Sequence, residues 1–176
     1  PHCRARVLPG VSLDLLGLVD AGEIDLAVLI RPPFAVPADL EWRTLVAEPF
    51  VLLAPAGTPG DDWRTLLAHQ PFIRYDRRSF GGRRVDQFLR DQHITTHDVI
   101  ELDELQGMTQ LVARGQGVAL APQTAAQGAW PPGIRAISLG DDTFTREIGL
   151  IERPRHSRQP IAGRLADCID EAARGT

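Results

Sequence analysis

The chain has 176 residues, 43% of them apolar and 24% charged, the make-up of an ordinary globular domain or of two small lobes on one chain. That composition excludes intrinsic disorder, collagen-like repeats and coiled coil, and no apolar run is long enough to cross a membrane. With 19 basic and 23 acidic residues the net charge is −4, so this chain by itself is a poor partner for a phosphate backbone.

Apart from histidine every basic residue is arginine, and asparagine is absent too, which points to a GC-rich genome rather than to a function. Cys3 and Cys168 lie near opposite ends and read as two free thiols in a reducing compartment, an end-to-end disulfide being the alternative. No basic-then-apolar leader opens the sequence, so no export signal is visible, a fragment or mature form that has lost one being the alternative.

In chain order, Cys3–Leu8 alternates as a strand would. Ser12 is a candidate N-cap for a helix through Leu15, Leu16, Leu18 and Val19, which Gly22 can end. Ile24–Ile30 is almost continuously apolar after Asp25, the pattern of a strand buried on both faces. Phe50–Ala54 reads as a buried strand, Asp61 or Asp62 as the cap of a short helix through Trp63, Leu66 and Leu67, and Phe72–Tyr75 as the next strand. Gly81 or Gly82 opens a helix through Val85, Phe88 and Leu89. A strand at Val99–Leu102, a helix at Glu104–Arg114 and a strand at Val118–Ala121 follow. Ile134–Leu139 and Phe144–Ile151 read as strands, and Pro160 suits the first turn of a last helix. Strands alternating with helices predict an α/β fold on a largely parallel sheet.

The densest local chemistry is Arg74–Arg84, between a predicted strand and a helix entrance. Open N–H groups and the helix dipole make such an entrance attractive to a carboxylate or phosphate, and Ser79, the glycines and the guanidinium groups suit one. A solvated arginine cluster paired with Asp76 and Asp86 is the alternative. Arg31 and Pro32 leave the carboxyl end of a strand, where open α/β sheets bind ligands, and Leu102 and Asp103 lie in the same topological position, although Asp103 and Glu104 also suit a helix cap. Ser79-Phe80-Gly81 resembles half of a nucleophile elbow. Arg77 stands where a small residue is needed, however, and His93, His97 and His156 have no evident orienting acid, so no enzyme is expected. His93 and His97 are four apart but lie in a helix-to-strand connection, and neither a metal nor a cofactor is expected. Gly115-Gln116-Gly117 precedes a strand rather than a helix, which suits a helix stop and not a dinucleotide fingerprint.

Three stretches in order resemble the effector-binding domain of LysR-type transcriptional regulators: Leu18–Val28, with its Gly22-Glu23-Ile24-Asp25-Leu26-Ala27 core; Leu45–Pro55; and Leu111–Pro122, containing Leu111-Val112-Ala113-Arg114-Gly115-Gln116-Gly117-Val118-Ala119. The resemblance implies a type 2 periplasmic-binding-protein-like α/β fold, two Rossmann-like lobes joined by crossovers at Glu48–Ala54 and about Leu139–Leu150. Lobe I would comprise residues 1–47 and 145–176, and lobe II residues 48–144.

It further implies a ligand-sensing role. A small, anionic metabolite would lie in the cleft between the lobes and modulate promoter binding by a helix-turn-helix absent from this chain. The rival reading is an extracytoplasmic solute-binding protein of the same fold. The implied ligand positions are Arg31, Pro32, Arg77, Ser79, Phe80 and Gly81, with Leu102 and Asp103 weaker. A cytoplasmic antiparallel homodimer is expected, with no membrane partner, using Cys3–Leu8 and the helix Gly82–Asp91. Ordinary core packing is the alternative for Val85, Phe88 and Leu89. The resemblance begins at the family's second strand, so lobe I is expected to be incomplete, with a partner chain or swapped segment covering the gap.

Overall fold

A computed structural model describes residues 4–124, 128–154 and 160–175. The chain divides into two compact units: residues 1–47 with 147–176, and residues 48–146. Its elements are α1 (Ser12–Asp20), β1 (Leu26–Ile30), β2 (Glu41–Pro55), α2 (Trp63–His69), β3 (Pro71–Tyr75), α3 (Phe80–Asp91), β4 (His97–Leu102), α4 (Leu105–Ala113), β5 (Ala119–Pro122), β6 (Ile134–Ile137), β7 (Thr145–Glu152) and α5 (Pro160–Arg174). The long strand β2 carries the chain from the first unit into the second, and β7 brings it back.

In the first unit, β1 pairs antiparallel with β7, from Leu26 opposite Glu152 to Ile30 opposite Ile148. Leu16 and Val19 of α1 pack with Ala27, Leu29, Leu40 and Ile151 as its core. Burying each large side chain of that set stabilises by about 1.5–3 kcal/mol. The helix ends as its sequence requires. Gly22 adopts φ +74°, and the N–H groups of Gly22 and Glu23 donate back to the carbonyls of Val19 and Leu18, which would otherwise lack partners. Ser12 is the first helical residue rather than the cap. Its hydroxyl accepts instead from the Ile30 N–H at 3.3 Å, tying α1 to the end of β1. Arg43 reaches Glu152, Asp170 and Asp167 at 3.3–3.5 Å and so fastens α5 to this unit.

Two expectations fail here. Residues 4–8 form no strand, Val7 is 89% exposed, and Cys3 lies outside the described residues. A strand needs a neighbour for its N–H and C=O groups, and among the described residues this segment has none. Nor is β1 buried on both faces. Ala27 and Leu29 are buried while Val28 between them is 43% exposed, because core side chains cover one face only.

In the second unit, β2 is flanked by antiparallel β5 (Phe50 opposite Pro122, Leu53 opposite Ala119) and antiparallel β6 (Leu52 opposite Ile137, Pro55 opposite Ile134). Strands β3 and β4 pair in parallel, and a parallel bridge joins Phe72 to Val118. Among the described residues the expected parallel pairing is thus confined to β3, with β4 and at the Phe72–Val118 bridge. Strands β2 and β7 take no part in it, since they are the chain's passages between units, and they pair antiparallel with β5, β6 and β1. Phe50, Leu52, Leu53, Leu67, Phe72, Ile73, Val85, Met108, Val112 and Leu120 are wholly buried in the core.

The starts of α2, α3 and α4 each follow from one polar side chain. Asp62 accepts from the N–H groups of Arg64 and Thr65, Ser79 from Gly82, and Glu104 from Gln106 and Gly107, which satisfies donors that no preceding turn can meet. Pro160 takes the first position of α5, as its locked φ suits. Gly115, at φ +75°, ends α4 with the same back-bonded turn as Gly22, which is the helix stop read from its sequence. Val85, Phe88 and Leu89 are all buried, so core packing accounts for this face of α3.

Candidate functional site

Helix α3 begins where β3 ends, and its first turn lies unusually close to that strand. Ser79 is extended at the cap. Its hydroxyl donates to the Asp76 carbonyl at 2.9 Å and accepts from the Gly82 N–H at 3.0 Å. A Cβ on Gly81 would sit 2.6 Å from the Tyr75 ring, and one on Gly82 would overlap the Asp76 carbonyl. The two glycines therefore let the helix entrance press against the strand end. Phe80 is buried, at 2% exposure. The N–H of Asp76 donates to the Leu102 carbonyl at 3.0 Å, which places Leu102 and Asp103 beside the Asp76–Ser79 turn. Burial pushes the Asp103 carboxyl above the usual aspartate range; the Ser79 hydroxyl works against this and the Asp76 charge adds to it.

Four of the arginines around this turn, Arg74, Arg77, Arg78 and Arg84, are already engaged. The Arg77 guanidinium meets Glu101 at 2.8 Å, Asp98, and Asp86 at 3.7 Å, and its backbone N–H also donates to Glu101. Arg74, 5% exposed, donates to Asp98 and Thr96 at 3.1 Å and lies over the Phe72 ring. Arg78 is bound to Asp76, and Arg84 donates twice to the Thr145 carbonyl. Burial raises the Asp98 carboxyl, but hydrogen bonds from Thr96, Arg74 and Arg77 outweigh it and hold the group below its ordinary range. The sequence's cluster of arginines thus becomes a network in which Asp86, Asp98 and Glu101 neutralise Arg74 and Arg77.

Arg31 and Pro32 belong to the first unit. Arg31 donates to Glu147 at 2.8 Å, and Thr44 donates to the same carboxylate at 2.8 Å. Those two bonds, Thr44's first, hold the Glu147 carboxyl below its usual range. Pro32 is buried. In the second unit the structure brings together Ser79, Phe80, Gly81, Leu102 and Asp103 around the start of α3, while Arg77 is turned to the carboxylates of β4 and α3. Glu104 caps α4, and Asp103 is left to the Ser79 side. His93 and His97 lie in the connection after α3 and at the start of β4, and His156 lies outside the described residues. Among the described residues no group of three or more histidine, cysteine, aspartate or glutamate side chains is placed to hold a metal ion.

One group escapes a reading of the sequence. Glu48 and Arg146, each 8% exposed, form an ion pair at 2.6 Å, and Arg146 also donates to the Tyr75 hydroxyl at 3.1 Å. Burial raises the Tyr75 hydroxyl's pKa, and the Arg146 charge opposes the rise. The only sequence signal was a charged residue set in each crossover segment, Glu48 before Pro49-Phe50-Val51 and Arg146 before Glu147-Ile148-Gly149.

The chain belongs to the LysR substrate-binding domain family, whose model matches residues 1–174. Among its curated relatives is the HTH-type transcriptional regulator IlvR of Caulobacter vibrioides, 29% identical over 174 residues that cover 92% of this chain and 58% of that protein. Another is the HTH-type transcriptional regulator CfxR of Cupriavidus necator, 30% identical over 86% of this chain and 44% of that protein. The chain therefore spans about half the length of these relatives, which are transcriptional regulators. The fold matches the effector-binding domain of QuiR in complex with shikimate, with TM-score 0.78, 17% identity, and coverage of 94% of this chain and 79% of that one. It also matches the CcmR regulatory domain of Synechocystis in complex with 2-PG, with TM-score 0.77, 15% identity, and coverage of 93% and 80%. The architecture is accordingly the type 2 periplasmic-binding-protein-like α/β fold. No helix among the described residues is long and apolar enough to cross a membrane.

Proposed function

We propose that this chain is the effector-sensing part of a cytoplasmic LysR-type transcriptional regulator. It binds a small metabolite whose presence alters how a helix-turn-helix outside this chain engages a promoter. The observation that carries this reading is the family match over residues 1–174, and it favours a regulator over a transport-linked solute-binding protein. Binding acts by preferring one arrangement of the domain, so that its free energy shifts a population. No catalytic step is proposed, and the working state is a homo-oligomer, an antiparallel pair of such domains.

In the second unit the proposed ligand contacts are Ser79, Phe80, Gly81, Leu102 and Asp103, and in the first unit Arg31 and Pro32. Arg77 contributes through its carboxylate network rather than as a free charge. An acidic group on the ligand would be favoured by the positive end of the helix dipole at the start of α3.

The test is a thermal-shift screen of carboxylates and phosphates on the 176-residue chain, repeated with Ser79→Ala, Arg31→Ala and Arg77→Ala. A ligand at a hundred times its Kd adds about 2.7 kcal/mol, or roughly 5–10 °C in a domain of this size. The expected result is a shift from one chemical class that weakens in Ser79→Ala and Arg31→Ala and persists in Arg77→Ala. A shift untouched by Ser79→Ala and Arg31→Ala, or no shift from any compound, would count against the site.

A further inference from the structure

We infer that Tyr75 and Arg146 form a relay that couples the first turn of α3 to both crossover strands within the second unit. The inference rests on the proposed role of that turn in ligand binding, but its physical basis is separate. Three links run in series. Gly81 lies so close to Tyr75 that a single added carbon would stand 2.6 Å from the ring and its hydroxyl. The Tyr75 hydroxyl accepts from Arg146 at 3.1 Å. Arg146 holds Glu48 at 2.6 Å. Glu48 is in β2 and Arg146 in β7, the strands by which the chain enters and leaves this unit, at residues 48 and 146.

All three side chains are buried, at 3% for Tyr75 and 8% for each of the others. A buried ion pair is intolerant of altered geometry, because its Coulomb gain must match the desolvation of both groups. A small displacement of the Tyr75 ring therefore cannot be absorbed by loosening the pair into water.

Two further contacts tie the same helix to the same strands. Arg84 donates from Nε and Nη2 to the Thr145 carbonyl at 3.2 and 3.0 Å. Phe88 stacks on Phe144 at 4.3 Å between ring centroids, and Phe144 stacks on Phe50 of β2 at 4.3 Å. Helix α3 thus meets the crossovers at its start, middle and last turn. Only the contact at its start runs through a series of buried, hydrogen-bonded side chains, whose geometry is directional and admits discrete arrangements; the Arg84 bonds end on a backbone carbonyl, and the Phe88 contact is apolar.

The N–H of Phe50, which donates to the Phe144 carbonyl at 2.9 Å, reports on the join between the crossovers. The N–H of Leu66 in α2, bound to the Asp62 carbonyl, reports on the rest of the unit. Amide hydrogen exchange is measured on the 176-residue chain as wild type, Gly81→Ala, Tyr75→Phe and the double variant, with no ligand present. Gly81→Ala should lower protection at Phe50 by about tenfold, the size usual for residues sharing one network, and leave Leu66 unchanged. In the Tyr75→Phe background the same substitution should have little further effect at Phe50. Tyr75→Phe alone, which keeps the ring and removes one oxygen, should by itself loosen Phe50, so the idea stays testable if Gly81→Ala does not fold. Additive effects of the two substitutions, an unchanged Phe50, or equal losses at Phe50 and Leu66 would each overturn the relay. Because no ligand is used, the relay can fail while the effector reading stands, and a failed thermal-shift screen would leave the relay intact.

Discussion

The substitution of glycine by alanine at residues 17 and 82 should have opposite effects on stability, although both lie in helices. Gly17 is an exposed residue of α1, and a Cβ built there meets nothing within 4 Å. Only the helix preference of alanine acts, so Gly17→Ala should stabilise by about 0.5–1 kcal/mol. Gly82 enjoys the same local gain, but its Cβ would overlap the Asp76 carbonyl and stand 2.8 Å from the Tyr75 carbonyl. Both obstacles are backbone atoms at the end of a buried strand and cannot swing aside. Overpacking of this kind costs roughly 1–3 kcal/mol, and moving the first turn away also weakens the Ser79 cap, worth about 1 kcal/mol. The balance is a net loss of about 2 kcal/mol for Gly82→Ala. Urea unfolding followed by circular dichroism, with the slope m checked for constancy, measures both changes on one scale. Gly82→Ala as stable as wild type would refute the close approach of α3 to β3, and with it the packing account of the candidate site.

Three other outcomes follow from named contacts. Arg146→Met should destabilise by about 3–5 kcal/mol, because it leaves the Glu48 carboxylate buried and unpaired, whereas the triple variant Glu48→Leu/Tyr75→Phe/Arg146→Met, which also removes the hydroxyl that Arg146 serves, should lie near wild type; equal losses in both, by the same urea assay, would contradict this. His93 ends α3 at φ +54°, the position Gly22 holds after α1, so His93→Gly should raise stability by about 0.5–1 kcal/mol, visible as a rise in Tm of a few degrees, and a fall would show that its ring bond to the Arg90 carbonyl outweighs the strain. Asp98 and Asp103 should answer pH with opposite signs. The lowered Asp98 carboxyl stabilises above its unfolded-state pKa and loses that contribution as pH falls through its folded value, so Asp98→Asn should cost stability at neutral pH and little in acid. The raised Asp103 carboxyl carries a penalty that is present above its folded pKa and vanishes in acid, so Asp103→Asn should gain stability at neutral pH and lose that gain on acidification. Unfolding midpoints across the carboxylate titration range distinguish the two, and like signs would refute the assignment.

Local structure was largely legible in the residues. Asp62 and Gly22 act as their types and positions require, and the apolar spacing of Val85, Phe88 and Leu89 marks the buried face of α3. These features depend on interactions within a few residues, which the order of side chains dictates directly. The entrance of α3 was legible to within two residues: the sequence opens the helix at Gly81 or Gly82, and the structure starts it at Phe80, with Ser79 as the cap.

What lay beyond the sequence was every property set by a distant partner. Arg77 reads as an available cation until β4 brings Asp98 and Glu101 against it. Residues 4–8 have the alternation of a strand, yet alternation does not supply a neighbour to bond with. Val28 is as apolar as Leu29, and only the one-sided packing of the first unit decides which of them is exposed. The pairing of Glu48 with Arg146 joins residues 98 apart in the chain. Charge pairing, burial and strand direction are relations between segments, so they come into being only when the tertiary structure sets those segments side by side.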